Sequence, residues 1–301
     1  MCFKAKLFAL FSLLITAAWA TAETHIKEWD GSQYHTHSKS QMLDAHVFLQ
    51  SLPLSDVSSI IDLGCGSGGS TKVLLDRFPD AHILGVDPNP SMINRARQQW
   101  AAHQNIHFLQ QDALSFKASR PADLVYSGFV MHWIPKQEQI PALKNIHQNM
   151  APKGTLVLIF SPGKEGLPFQ TVLDKLLKKP PYASPFKHFK NNFVTYTLDE
   201  YRQMLEQAGF FVEQISYRYN EKTYNSKDEL RLWMQQWSPH AQHLAKTSEA
   251  LRDQFMEELV EQFMVETGQT AKPYQWGEYI MTAVAHKKPG NHDKFPAAPY
   301  K

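Results

Sequence analysis

The run Ser59-Ile60-Ile61-Asp62-Leu63-Gly64-Cys65-Gly66-Ser67-Gly68-Gly69-Ser70-Thr71 constrains this chain more than any other stretch. A short apolar strand reaches a carboxylate, passes through alternating glycines and enters a helix. Without Cβ atoms, such a loop lets the backbone approach a nucleotide-like ligand closely. The spacing Gly64-x-Gly66-x-x-Gly69 also fits the dinucleotide fingerprint. The loop alone therefore leaves two cofactor classes open.

The neighbouring acids separate them. A pyrophosphate on the loop would face the like charge of Asp62, whereas S-adenosylmethionine (SAM) has no phosphate and carries an ammonium and a sulfonium. Ala81-His82-Ile83-Leu84-Gly85-Val86-Asp87 is a second apolar strand ending in an acid, placed to accept from both ribose hydroxyls. Asp87 serves either cofactor. Ile106-His107-Phe108-Leu109-Gln110-Gln111-Asp112-Ala113 is a third, and Asp112 there suits an adenine amino group. Three successive strands with acidic ends favour SAM over NAD.

These segments resemble the first three motifs of the class I SAM-dependent methyltransferases, and Gly85-Val86-Asp87-Pro88-Asn89-Pro90-Ser91-Met92 carries the second of them. Ala122-Asp123-Leu124-Val125-Tyr126-Ser127-Gly128-Phe129-Val130-Met131-His132-Trp133 is similar to their fourth. Its His-Trp ending resembles the subgroup of the trans-aconitate, malonyl-carrier-protein and juvenile hormone acid methyltransferases, as does Trp29-Asp30 through Tyr34 and Gln41 upstream. The resemblance covers roughly residues 27–160. It implies a cofactor bed of Asp62, Gly64, Cys65, Gly66 and Gly68 on the loop, with Cys65 a spacer offering its backbone N–H. Asp87, Pro88, Met92, Asp112, Ala113 and Ser127 complete the bed, and Tyr34 closes over it. It also implies that Trp133 and Gln41 donate hydrogen bonds to an acceptor carboxylate, with His132 a packed side chain or a general base. An ionised carboxylate needs no base; a hydroxyl or amine does. Carboxyl O-methylation of a small molecule is the leading expectation. Methylation of another small acceptor and a non-catalytic, exported SAM-binding protein are the alternatives. The fourth motif lacks Asn/Asp-Pro-Pro-Tyr, which disfavours nucleic-acid and glutamine nitrogens.

Strands at 58–63, 82–86, 106–109, 123–127 and 155–160 alternate with helices at 70–77, 90–102 and 136–150, after an opening helix at 41–51. This pattern predicts a Rossmann-like α/β fold: a mostly parallel sheet with helices on both faces, ligands at the carboxyl ends and an antiparallel last strand. Beyond Ser161 the sequence predicts helices at 169–178 and 197–208, a strand at 210–219, helices at 226–237 and 248–266, and a last strand at 279–286. The long connection before that strand reads as a helical lid inserted near the C-terminus. Of its apolar residues Leu230, Trp233, Trp237, Phe255, Leu259 and Phe263, most are expected to pack the helices, and the others to line a substrate cavity.

Residues 1–22 read as a secretory signal: Lys4 and Lys6, an apolar run from Leu7 to Trp19 too short for a stable membrane span, then Ala20-Thr21-Ala22. Residues 23–160 form the SAM-binding core, 161–288 the rest of the sheet with its lid, and 289–301 a loose tail. Export conflicts with the cytosolic supply of SAM. With Cys2 removed with the signal, Cys65 has no disulfide partner. A net charge of +2 provides no field for nucleic acid or a membrane surface. His35-x-His37 reads as solvated, not as a metal site, and Lys187, His188 and Lys190 as a solvated loop.

Overall fold

The computed structural model describes residues 39–161, 168–191 and 193–288, with only the backbone of 39–42. Tyr34, the His35-x-His37 pair, the N-terminal signal and the tail lie outside the described residues. Helix α1 (Lys39–Ser51) precedes β1 (Ser59–Leu63), α2 (Gly69–Arg77), β2 (His82–Asp87), α3 (Pro90–Gln99) and β3 (Ile106–Gln110). Then come β4 (Ala122–Gly128), α4 (Gln139–Gln148) and β5 (Met150–Phe160). The β3–β4 crossover holds no helix, as its short length predicts. These five strands pair in parallel, so all their carboxyl ends open on one edge.

Side chains alternate between two cores because successive residues of a strand face opposite sides of the sheet. Along β5, Leu156, Leu158 and Phe160 join a cluster with Leu143, Ile146 and Tyr201. Val157 and Ile159 join Leu49, Ile60, Leu74 and Tyr126 on the other face. A strand covered on both faces reads as a continuous apolar run, and all five residues of β1 are buried.

Helices α5 (Pro168–Leu176) and α6 (Leu198–Gln207) follow, α6 starting in a capping box between Thr197 and Glu200. Next are β6 (Phe210–Tyr224), α7 (Lys227–Trp237), α8 (Pro239–Ala245), α9 (Glu249–Glu266) and β7 (Tyr274–Lys287). The seven strands form one sheet in the order β3-β2-β1-β4-β5-β7-β6, with β7 antiparallel to both neighbours.

The last hairpin is much longer than the sequence predicts. β6 and β7 pair from Phe210↔Lys287 to Tyr224↔Tyr274, whereas β5 meets β7 only from Thr155↔His286 to Phe160↔Met281. The ribbon therefore runs on past the carboxyl end of β5. Its polar stretch disguises the strands in sequence, but cross-strand partners satisfy it: Lys222 bridges to Glu278 at 2.9 Å, and Gln275 donates to Glu221 at 3.2 Å. The unexpected α8 begins with Ser238 as N-cap and Pro239 at its first position.

The insert α7–α9 sits at the ribbon's tip and has its own core. Leu230, Met234, Phe255, Met256 and Leu259 pack there with Leu173 and Leu176 of α5. Each such fully buried side chain stabilises by about 1.5–3 kcal/mol. Asp44 ties α1 to the ribbon, accepting from Asn220 at 2.9 Å and lying 3.4 Å from Lys222.

Candidate active site

Two glycines of the β1–α2 loop are required by space as well as by backbone angle. Gly64 has φ +73°, and a Cβ there would lie 2.0 Å from Val130 Cγ2. Gly68 has φ +92°, and a Cβ there would lie 2.4 Å from Trp100 Nε1. The loop's amides are largely engaged within the protein. Gly64 and Cys65 N–H donate to the Val86 carbonyl (2.7 and 3.1 Å), and Gly68 N–H to the Cys65 carbonyl (2.9 Å). Gly66 N–H donates to Asp87 Oδ2 at 3.0 Å. The expectation that Cys65 offers its N–H to a cofactor is therefore corrected. Its thiol is buried, which raises its pKa well above the usual value and makes it a poor nucleophile. A loop with these four amides engaged makes a poor cradle for pyrophosphate, and it fits a cofactor without phosphate.

The acids differ in what holds them. Asp62 is fully buried and accepts from Ser70 Oγ at 2.8 Å and Thr71 Oγ1 at 2.7 Å, which pins the helix start to the strand. Its carboxylate is therefore engaged within the protein and not open. Burial outweighs the two hydroxyls and lifts its pKa to about 6. Asp87 is half-buried at the end of β2, and burial raises it to about 6 as well. Its protein donors are the amides of Gly66 and Asn89 (2.8 Å). Ribose hydroxyls would supply the further donors that such a carboxylate favours. Asp112 is exposed and caps the turn after β3, accepting from Leu114 N–H (2.9 Å) and Ser115 Oγ (2.7 Å) through Oδ1. Pro88 and buried Met92 flank the Asn89 cap of α3. The Ala113 carbonyl is held by Asn145 at 3.1 Å. Ser127, at the end of β4, is fully buried with no partner for its hydroxyl.

A 3-10 turn at Met131–Trp133 follows β4. His132 is buried and stacks on Phe193 with ring centroids 4.7 Å apart. Its Nδ1 accepts from Ser161 N–H at 3.2 Å, which assigns the ring proton to Nε2. Burial pushes its pKa down to about 3. A neutral imidazole whose accepting nitrogen is engaged is a donor, so the general-base option for His132 is not favoured. Trp133 packs edge-on against Phe193 at 5.5 Å. Gln41 lies in the first turns of α1, where only the backbone is described.

A cavity of about 790 Å³ extends from Phe129, His132 and Trp133 to the helical insert. Trp233, Trp237 and Phe263 line it, while Leu230, Phe255 and Leu259 are core of the insert. The candidate lid residues thus divide evenly between cavity and packing. Lys187, His188 and Lys190 are exposed and do not line it.

Several lining residues escape a reading of the sequence alone. Phe169 and Phe193 sit in segments without a motif, and Trp276 precedes the predicted start of its strand. Its only sequence signal is the alternation Tyr274, Trp276 in β7. Phe129 adopts φ +60°, an outlier for a bulky residue, held by its N–H to the Ile159 carbonyl at 2.6 Å. Such strain costs about 1–3 kcal/mol and concentrates at ligand sites. Among the described residues, no cluster of three or more His, Cys, Asp or Glu suits a metal ion, and no helix is long and apolar enough to cross a membrane.

Comparison with known proteins agrees with this geometry. Residues 60–154 match the model of a methyltransferase domain. The chain is 31% identical over 157 residues to the trans-aconitate 2-methyltransferase of Methylobacterium nodulans, covering 52% of this chain and 58% of that one. It is 37% identical over 108 residues to the enzyme of that name from Enterobacter, covering 36% and 42%. The chain thus spans about half the length of these curated relatives. A mycolic acid cyclopropane synthase solved with SAH and CTAB superposes with a TM-score of 0.56 at 16% identity, covering 83% of this chain and 85% of that one. YcgJ of Bacillus subtilis gives 0.54 at 14% identity, covering 82% and 99%. Residues 60–154 of this chain thus carry a methyltransferase domain, set in a seven-stranded sheet whose fold these solved structures share.

Proposed function

We propose that this protein transfers a methyl group from SAM to a carboxylate oxygen of a small molecule. The observation that carries the reading is the donor character of the acceptor end. His132, a neutral imidazole with its proton assigned to Nε2, and the adjacent indole of Trp133 both line the cavity. Donors orient a carboxylate, which is ionised at neutral pH and needs no base. SAM, when bound, supplies a methyl on a sulfonium that is already an activated leaving group. The protein's part is to hold the acceptor oxygen in line and keep water out, and positioning of this kind lowers barriers by about 7–11 kcal/mol. The relatives named for trans-aconitate support an acid as acceptor.

In this reading Asp87 holds the ribose, and Asp112 and Ser127 lie on the adenine and acceptor sides of the bed. Trp133, His132 and Gln41 face the acceptor, with Tyr34 closing over the cofactor. The ribbon-borne insert serves as the lid. Release of S-adenosylhomocysteine with a panel of carboxylic acids tests the reaction. Silence across acids, phenols and amines, with SAM binding intact, would leave a binding protein instead. Trp133→Phe should lower turnover of acids about tenfold with SAM affinity kept; unchanged turnover would remove the donor role.

We further infer export from the basic, apolar and small-residue pattern of residues 1–22. Mass spectrometry of the native N-terminus checks it, and an intact Met1 would refute cleavage.

A further inference from the structure

The cavity walls have a chemistry that the cofactor bed does not share. One side is aromatic: Trp237 packs on Phe169 (centroids 5.2 Å) and Trp276 (5.7 Å), and Trp276 on Phe263 (5.3 Å) and Trp233 (5.0 Å). This wall also carries the indole N–H groups of Trp237 and Trp276, which have no acceptor among the described residues. The charges are of one sign. Asp174, Glu221 and Glu278 line the cavity, and among the described lining residues there is no lysine or arginine. Lys222, beside Glu278, is already held between Glu278 (2.9 Å) and Asp44 (3.4 Å), with its ammonium 5.2 Å from the Trp233 ring centre. His132 and His240 are kept neutral, burial holding their pKa values near 3 and 4. A volume of about 790 Å³ lies in the range of sites for drug-sized ligands.

We propose that the acceptor is a monocarboxylic acid with a bulky aromatic or long aliphatic body, and that the cavity rejects polyanions such as trans-aconitate. The inference rests on the methyl-transfer reading above. The carboxylate meets the donors of Trp133 and His132, and the body lies against Phe169, Trp237 and Trp276. A second or third carboxylate would be brought among Asp174, Glu221 and Glu278 with no cation to pair it, an arrangement that costs binding energy. Most of the lining residues follow residue 154, where the family match ends, so the acceptor pocket belongs to this chain's own C-terminal half.

The test uses the full chain with SAM, comparing naphthalene-1-acetate and laurate with trans-aconitate and citrate. Tryptophan fluorescence reads binding, and S-adenosylhomocysteine release reads turnover. Both monoacids should change the fluorescence and show KM values at least tenfold below trans-aconitate. Phe169→Ala and Trp237→Ala should each raise the monoacid KM about tenfold, with calorimetric SAM affinity kept as the check on folding. Glu221→Lys, at an exposed position, should lower the KM for trans-aconitate several-fold. A preference of the unaltered protein for trans-aconitate would overturn the inference while leaving methyl transfer standing. Failure of both monoacids to bind would overturn it too. Monoacid binding without S-adenosylhomocysteine from any acid would uphold the cavity assignment and defeat the methyl-transfer reading.

Discussion

The two ends of the site are built by different means. At the cofactor end, Gly64, Gly66, Gly68, Asp62 and Asp87 come from some 25 consecutive residues and are fixed by backbone bonds between β1, its loop and β2. At the proposed acceptor end, Phe169, Phe193, Trp237 and Trp276 come from four separate segments and are held by ring contacts. The first is specified locally and tolerates almost no added atom. The second depends on long-range packing, which adapts by repacking. The family match ends at residue 154, before most of the acceptor end begins.

Substitutions at matched glycines give the sharpest contrast. Gly64→Ala puts a Cβ 2.0 Å from Val130 at φ +73°, and combined overpacking and backbone strain should cost about 3 kcal/mol or more. Denaturant unfolding would show it as a lowered midpoint at constant slope. An unchanged midpoint would mean the loop yields more readily than its bonds imply.

Acidity separates the two ends next. Asp62 and Asp87 have folded pKa values of about 6, above the ordinary value, so they bind a proton more tightly folded than unfolded. Their contribution is full at pH below about 4 and is lost as pH rises through about 6, on the order of a few kcal/mol for the pair. Ligand-free protein should therefore gain less stability from neutralisation than its acids would suggest, and Asp62→Asn should flatten the pH 4–6 segment. Equal slopes in both proteins would remove Asp62 as the source.

Asp87→Ala should weaken SAM binding by roughly a hundredfold, because charge-assisted hydrogen bonds contribute about 1.5–3 kcal/mol each. Calorimetry measures this, and affinity like that of the unaltered protein would contradict the ribose role. The smallest effect should lie at the far end of the insert. Gly268 also has φ +67°, but a Cβ there meets nothing within 4 Å, so Gly268→Ala should cost only about 1 kcal/mol. A loss matching Gly64→Ala would erase the distinction between crowded and open positions.

Much of this was legible in the sequence because its determinants are local. Strand and helix periodicity located β1 to β5, Thr197 with Glu200 marked the start of α6, and glycines with an acid at the strand end marked the loop. The long ribbon was not legible, since Asn220, Glu221 and Lys222 look like a turn until Glu278 and Gln275 lie opposite them. The character of His132 was hidden for the same reason. Only the fold brings the Ser161 amide to Nδ1 and buries the ring beside Phe193.

By itself the sequence determined the class of sheet, the cofactor loop and the acids at or just past the ends of its first three strands. These follow from the period-2 and period-3.6 patterns and from residues within one βαβ span. Only the tertiary structure decided which loop amides remain available, which acids are buried, and which aromatic residues face a cavity instead of a core. Those properties depend on neighbours from distant parts of the chain. A tryptophan on an amphipathic helix is core or pocket according to what the opposite wall leaves open.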